Sequence, residues 1–236
     1  MPLPINLTTP TYEVKLPLSN KKVKYRPYLV KEEKLLMMAM ESGDQKMIMK
    51  AVQDIIDECT FNEVKAKTLP TAELELLFLK LRAKSVGETS TVGYACTECG
   101  TSNEMNINLE AIELDKSNIK ENKIMLTDTV GVVLKYPTTE DVTKVIDNGE
   151  GDINNTFKII GSCIETIFDK ENMYQAEDLT QEDLNQFIES LSSRQFEKIK
   201  DFFQGLPKLS KQVEFDCHKC GTHNTLKLEG LQNFFG

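Results

Sequence analysis

Tryptophan is absent from this 236-residue chain, and aromatic residues make up only 7% of it. Aliphatic side chains and methionine must therefore fill most of any hydrophobic core. The chain is nevertheless 40% hydrophobic and 28% charged, a composition that excludes intrinsic disorder as the general state. The length suits one large domain or two small ones.

Catalytic signatures are also missing. The chain has only two histidines, both near its end, and no G-x-S-x-G, H-E-x-x-H, P-loop or G-x-G-x-x-G motif. Acidic pairs such as Glu32-Glu33 and Glu182-Asp183 stand at the starts of predicted helices, where the helix dipole accounts for them. We therefore expect a binding or structural protein that is not an enzyme and has no small-molecule substrate.

Positive charge is in short supply. Lys and Arg number 28 against 37 Asp and Glu, which gives a net charge of −9, and residues 119–236 alone carry −7. A nucleic-acid-binding protein usually has a clustered basic face, whereas the one basic run here, residues 21–26, is predicted to be the solvated side of a hairpin. No apolar run approaches the roughly 18 residues of a membrane span, and residues 1–10 do not resemble a signal peptide. We expect neither a nucleic-acid nor a membrane partner, and a reducing cytosolic environment.

Four of the six cysteines occur in two copies of one motif, C-x-x-C-G-T-x-N, at Cys96–Asn103 and Cys217–Asn224. Two-residue spacing lets both thiolates of a tight turn face one ion, and the following glycine supplies the positive φ that such a turn needs. We call residues 96–99 and 217–220 the first and second zinc knuckles. Four thiolates are the usual ligand set of structural zinc, so the motifs predict a structural Zn²⁺ site, with the ligands Cys96, Cys99, Cys217 and Cys220.

The long separation of the knuckles leaves alternatives open. Between Cys99 and Cys217 there are 117 residues, whereas the two pairs of an ordinary zinc ribbon are separated by about 15–20 residues. The cost of closing such a loop grows only logarithmically with its length. The second knuckle could instead bind a metal with His223, the metal could be iron or an iron–sulfur cluster, the knuckles could have lost their metal, or the pairs could serve thiol oxidation in a thioredoxin-like context.

Hydrophobic periodicity predicts an α+β protein with the same order of elements twice. An extended arm (residues 1–11) precedes a β-hairpin, three helices and the first knuckle; a second hairpin, further helices and the second knuckle follow. Cys59 and Cys163 lie in apolar helical stretches and are expected to be small core residues. The first five predicted helices cover residues 30–42, 45–59, 71–81, 140–147 and 153–168. The first has an apolar face of Leu35, Leu36, Met38 and Ala39, and the third has Thr71 as its N-cap. A sixth helix is predicted to start at Thr180, with Asp183 completing a capping box, and a seventh to start at Ser192-Ser193 and to end at Gly205.

Equivalent features recur at a nearly constant offset, which predicts a tandem internal duplication. Tyr25 and Tyr136 are 111 residues apart, Thr71 and Thr180 are 109 apart, and Cys96 and Cys217 are 121 apart. The offset increases by about 12 residues where the second half has an extra helix, as a single insertion would produce. We predict an N-terminal repeat, residues 1–118, and a C-terminal repeat, residues 119–236, which face each other across a pseudo-twofold axis and are joined by the Cys₄ metal site.

Two parts of the chain contain stretches that are familiar from a known family. Near the N-terminus these are Pro2-Leu3-Pro4 and Lys22-Val23-Lys24-Tyr25-Arg26-Pro27-Tyr28. In the C-terminal region they are Phe196-Glu197-Lys198-Ile199-Lys200-Asp201-Phe202-Phe203, Leu206-Pro207-Lys208-Leu209, Phe215-x-Cys217-x-x-Cys220-Gly221 and Leu228-Glu229-Gly230-Leu231-x-x-Phe234-Phe235. With these stretches the chain resembles the T4-like bacteriophage baseplate hub proteins along essentially its whole length.

The resemblance implies a non-enzymatic baseplate hub component, or an assembly factor (chaperone) for the hub, of a contractile-tail phage. Its partners would be other hub or central spike proteins, and it would be found in the virion tail baseplate or in the host cytoplasm during assembly. The competing interpretation is a zinc-knuckle nucleic-acid-binding regulatory protein. The acidic charge, and the lack of aromatic residues interleaved with Lys and Arg at the knuckles, weigh against it.

Overall fold

The structure, a computed structural model, describes residues 8–146, 152–230 and 234. Residues 1–7 of the predicted N-terminal arm lie outside the described part. The chain is mixed α and β, and its described residues contain seven α-helices and eleven short strands. None of the described helices combines the length and the apolar character that a membrane span requires.

The elements alternate between short hairpins and groups of helices. The strands are β1 Tyr12–Lys15, β2 Lys22–Tyr25, β3 Thr89–Ala95, β4 Ser102–Asn108, β5 Glu113–Asp115, β6 Lys123–Met125, β7 Gly131–Leu134, β8 Ile164–Phe168, β9 Met173–Gln175, β10 Lys208–Asp216 and β11 His223–Glu229. The helices are α1 Val30–Ser42, α2 Gln45–Cys59, α3 Thr71–Ser85, α4 Thr139–Ile146, α5 Asp152–Ser162, α6 Gln181–Glu189 and α7 Ser193–Gln204. Short 3₁₀-helices at Ala66–Thr68 and Ala176–Asp178 precede α3 and α6.

Four small sheets are formed. β1 pairs with β2, β3 pairs with β4, β10 lies between β11 and β5, and β6 to β9 follow one another in chain order. The two hairpins that carry the knuckles have equivalent registers: Ala95 is opposite Ser102 in one, and Asp216 is opposite His223 in the other. Each knuckle is therefore the tip of an antiparallel hairpin.

The chain forms two compact units, and the first is discontinuous in sequence. Unit 1 comprises residues 1–114 and 208–236, and unit 2 comprises residues 115–207. Both knuckles belong to unit 1, because the β10–β11 hairpin packs with the N-terminal elements. The predicted repeats, 1–118 and 119–236, follow a different division and stay a prediction about the ancestry of the chain.

Helix α3 organises unit 1, since it is buried on two sides. One side joins the core of the β1–β2 hairpin and α2, through Leu74, Leu77, Phe78 and Leu81. The other side joins the core of β4, β5, β10 and β11, through Leu76, Leu79 and Ala83. A helix with apolar residues on more than one side packs against more than one neighbour, and α3 connects the two cores of unit 1 in this way.

Unit 2 has one core between its four-stranded sheet and its helices. Residues of β7, α5, α6 and α7 meet there, among them Val132, Leu134, Ile160, Ile199 and Phe202. The predicted capping of α6 is confirmed: Thr180 accepts a hydrogen bond from the backbone of Asp183, whose carboxylate accepts from the Thr180 backbone N–H.

Several predicted element boundaries are wrong. The helix predicted over 153–168 ends at Ser162, and Ile164–Phe168 forms β8, where alternating β-branched residues suit a pleated surface. Pro70, not Thr71, is the N-cap of α3. In α1, Ala39 is buried as predicted, whereas Met38 faces solvent.

Candidate metal centre

The two zinc knuckles have the same backbone geometry. In the first, the N–H of Cys96 donates to Thr101 O at 2.8 Å and the N–H of Gly100 donates to Cys96 O at 3.0 Å. In the second, Cys217 and Gly221 make the equivalent bonds at 2.9 and 2.8 Å. Gly100 and Gly221 have φ values of +69° and +73°, the left-handed conformation predicted for the glycine of the motif.

The structure brings the four cysteines of the two knuckles together. Their Sγ atoms all lie within 4.8 Å of one another. The Sγ atoms of Cys96 and Cys220 are 3.7 Å apart, and those of Cys99 and Cys217 are 3.6 Å apart. Four thiolates at about 2.3 Å from a tetrahedral zinc ion would be about 3.8 Å from one another, whereas a disulfide requires about 2.05 Å. The spacing therefore fits a tetrahedral ion and does not correspond to disulfide bonds.

Each knuckle is also bridged to the other by an asparagine. Asn224 is the eighth residue of the second motif. Its Nδ2 donates to Cys96 Sγ at 3.6 Å, and its Oδ1 accepts from the N–H of Thr97 at 2.9 Å. Asn103 makes the same two contacts in reverse, to Cys217 Sγ at 3.7 Å and from the N–H of His218 at 3.0 Å. Both asparagines are buried, so these contacts replace the hydrogen bonds that their amide groups would make with water.

The threonine of the motif completes this arrangement within each knuckle. The carbonyls of Thr101 and Thr222 accept from Nδ2 of Asn103 and Asn224 at 2.8 and 2.7 Å. Their hydroxyls lie 3.3 Å from Sγ of the second cysteine of the same knuckle. Each of the five residues that the two motifs share therefore makes a contact or adopts a conformation that shapes the site. Each contact in one knuckle has an equivalent in the other, as an approximate twofold axis would produce.

Hydrogen bonds at the first cysteine of each knuckle favour its thiolate form. Hydrogen bonds from the backbone N–H groups of Cys220 and Lys219 lower the pKa of Cys217 to about 6, against the opposing effect of desolvation. The equivalent backbone groups of Cys99 and Glu98 lower the pKa of Cys96. Hydrogen bonds with Thr222 lower the pKa of Cys220, but burial together with the neighbouring Cys99 and Cys217 outweighs them, and the pKa of Cys220 is raised. Accumulated negative charge on adjacent sulfurs is what a divalent cation would neutralise.

The site is buried on one side only. The first cysteine of each knuckle, Cys96 or Cys217, is buried, and the second, Cys99 or Cys220, is exposed. The hairpins beneath are anchored by Ile107 of β4 and Val213 of β10, in the core shared with α3. Four protein thiolates leave no coordination position for a substrate water, so the chemistry of the arrangement suits a structural ion.

The remaining candidates lie apart from the four sulfurs. His223, considered as an alternative ligand, contacts Asp216 through Nδ1 at 2.8 Å on the exposed start of β11. Cys59 and Cys163 are fully buried, and burial raises their pKa values to about 11 and 12, which is typical of inert core thiols.

Sequence reasoning missed the role of Asn103 and Asn224. The signal was present, because asparagine occupies the eighth position in both motifs. Spacing shows which cysteines can share an ion, but it cannot show that a side chain crosses to the opposite knuckle.

This chain is similar to known proteins along nearly its whole length, both knuckles included. A model of the family described as T4 bacteriophage base plate protein matches residues 9–236. The chain is 28% identical over 225 residues to the baseplate hub assembly protein gp26 of Enterobacteria phage T4, a match that spans 95% of this chain and 97% of that protein. No solved structure matches the chain.

Proposed function

Because the chain belongs to the T4 bacteriophage base plate protein family, we propose that it takes part in building the hub of a phage tail baseplate. It would act without catalysis, as a hub component or as an assembly factor for the hub, through contacts with other baseplate hub or central spike proteins. The observation that carries the proposal is the match along nearly the full length of both this chain and the hub assembly protein of phage T4. The site of action would be the virion baseplate, or the host cytoplasm while the tail is assembled.

Depleting the protein from infected cells tests this proposal. We expect incomplete baseplates and few complete tails by electron microscopy, with normal synthesis of the other tail proteins. Quantitative mass spectrometry of purified virions then separates a resident component from an assembly factor that departs. Normal tails in depleted cells would contradict the proposal.

The metal proposal is a single structural Zn²⁺ held by the two zinc knuckles, Cys96–Cys99 and Cys217–Cys220. It is supported by the two sulfur–sulfur distances of 3.6 and 3.7 Å, which match those around a tetrahedral zinc ion, and by the lowered pKa values of Cys96 and Cys217. An ion there would tie the β3–β4 hairpin to a hairpin more than 100 residues later in the chain. Since a metal of this kind binds only the folded arrangement, its binding energy would become folding energy of unit 1.

Metal content by mass spectrometry, measured beside the double variant Cys96→Ser/Cys99→Ser, tests the shared site. We expect one zinc per wild-type chain and none in the variant, with a large drop in melting temperature. A zinc that survives the substitutions would mean that the second knuckle binds alone, with His223 as a further ligand. A well-folded wild type without metal would contradict the zinc proposal and leave the hub proposal standing.

A tandem duplication is the third part of the proposal, and equivalent contacts support it. The backbone N–H of Arg26, after the first hairpin, donates to Cys59 O at 2.9 Å; the N–H of Lys135, near the end of the second, donates to Cys163 O at 2.8 Å. The reciprocal asparagine contacts at the metal centre are a second such set. Two copies of one ancestral repeat, related by a twofold axis, would make such reciprocal contacts between their knuckles.

Protein partners are favoured over nucleic acid by the charge of each unit. Unit 2, residues 115–207, has 18 Asp and Glu against 10 Lys and Arg, a net charge of −8, and unit 1 is close to neutral. A phosphate backbone would be repelled by unit 2 and would gain no attraction from the net charge of unit 1.

A further inference from the structure

Methionines are concentrated in one short part of the chain. Five of the nine fall between residues 37 and 49, in the α1–α2 helical hairpin. Half of the large apolar side chains that are exposed in the described part of the chain fall between residues 29 and 47: Leu29, Val30, Leu35, Met37, Met38, Met40 and Met47. This clustering is unlike the scattered exposed apolar residues that any protein surface carries.

The exposed residues of α1 form one face, which we call the methionine face: Val30, Met37, Met38 and Met40. Their exposed fractions are 79%, 58%, 57% and 60%, while Ala39 on the opposite side is 4% exposed in unit 1. Val30 and Met37 are seven residues apart, so they lie two turns apart on the same line of the helix. The helix therefore has a second side, rich in methionine, that the described residues of unit 1 leave uncovered.

Charges beside the methionine face show what kind of surface would cover it. Glu33, Lys34 and Glu41 line the same shallow depression as Val30, Met37 and Met38. Among the described residues, neither Glu33 nor Glu41 forms an ion pair; these two carboxylates are about 12 Å apart along the axis. A complementary partner would place apolar residues on the methionines and basic residues about two turns apart against the carboxylates.

The size of the face argues against a second copy of this chain. The 13 residues of α1 span about 20 Å, and a helix is about 10 Å wide. The area is a fraction of the roughly 800 Å² per partner that a stable dimer buries. It matches instead the contact that a single amphipathic helix makes, and flexible methionine side chains adapt to such helices.

We propose that the methionine face binds an amphipathic helix of another baseplate protein, one whose apolar stripe is flanked by Lys or Arg residues two turns apart. Only the source of the helix, another baseplate protein, rests on the proposed function; the chemistry of the surface rests on α1 itself. The small contact area makes the complex weak and reversible, which suits a contact that is made and released during assembly.

A photo-crosslinking residue in place of Met37, in infected cells, tests the identity of the occupant. We expect a crosslink to one phage tail protein, with the crosslinked peptide in a helix of the stated pattern. A crosslink to a second copy of this chain, to a non-helical segment or to no protein would overturn the proposal.

Substitutions test whether the contact matters, with Met173→Glu as the matched control on β9 of unit 2, where Met173 is 69% exposed. We expect Met37→Glu/Met38→Glu to lower phage yield at least ten-fold with an unchanged melting temperature, and Glu33→Lys/Glu41→Lys to do the same. The control should support a normal yield. Normal yield from both double variants, in a phage whose yield collapses when the protein is depleted, would overturn this surface and leave the proposed function intact.

Discussion

At the scale of single residues, the candidate metal centre is held together by contacts that cross from one knuckle to the other. Asn103 and Asn224 each hold a sulfur and a backbone N–H of the opposite knuckle. Groups that hydrogen-bond to metal ligands fix ligand orientation, and their loss typically lowers metal affinity by about 10–100-fold. The asparagines should therefore matter to metal affinity almost as ligands do.

Asn224→Ala should weaken zinc binding about 10–100-fold, since Cys96 would lose its donor and Thr97 its acceptor. Competition with a chromophoric zinc chelator measures the affinity. Asn106→Ala is the matched control, because Asn106 is exposed on strand β4 and contacts Thr91 at a distance from the sulfurs. Equal affinities for the two variants would contradict the assigned role.

A buried ion pair in unit 1 should give its stability an acid limit. Burial would raise the pKa of Glu32, but Arg26 at 2.9 Å and the N–H of Leu29 at 2.7 Å lower it below its ordinary 4.5. The carboxylate therefore stabilises the fold fully above about pH 4.5, and this contribution is lost as the pH falls through the lowered pKa of the folded state.

Glu32→Ala should lower the free energy of unfolding by about 2 kcal/mol at pH 7, because it leaves the Arg26 charge without its partner. The difference from wild type should stay constant down to about pH 5 and shrink at lower pH. Urea titrations across this range measure it, with the neighbouring Glu33→Ala as the control. A difference that grows on acidification would show that the pair does not hold Glu32 ionised.

At the scale of elements, the turn of each knuckle depends on a left-handed glycine. No atom lies within 4 Å of a Cβ built on Gly221, so the cost of a side chain there comes from its backbone conformation. Gly221→Ala should destabilise the zinc-bound protein by about 1 kcal/mol, and Gly221→Asn by less, since asparagine tolerates this conformation. Thermal unfolding of the two variants tests the order; a more stable alanine variant would contradict it.

Elements whose ends are marked by capping or turn residues could be predicted from the sequence. Elements whose type depends on their tertiary contacts could not. The first two helices and the hairpin tips follow from capping residues and from C-x-x-C-G. The segment that ends in β8, residues 159–168, is apolar at six of its ten positions without a clean helical or alternating period. Such a segment fits a buried helix as well as a strand until its sheet partners are known. Likewise, periodicity places Met38 on an apolar face but cannot say that unit 1 leaves that face uncovered.

At the scale of the whole molecule, the two units should respond differently to metal removal. The metal centre lies entirely in unit 1, whereas unit 2 has its own core. A chelator should therefore abolish hydrogen-exchange protection in β3, β4, β10 and β11 and leave α6 and α7 protected. Equal loss in both units would contradict an ion that stabilises unit 1 alone.

The discontinuity of unit 1 has a consequence for the timing of synthesis. The 93 residues of unit 2 emerge from the ribosome between its two parts, an interval of about 5–20 s. Until residues 208–230 follow, the first knuckle has no opposite sulfurs, and Leu76 and Leu79 of α3 lack the strands that cover them. A nascent chain truncated before Cys217 can never close the site, so metal loading would distinguish complete chains from prematurely terminated ones.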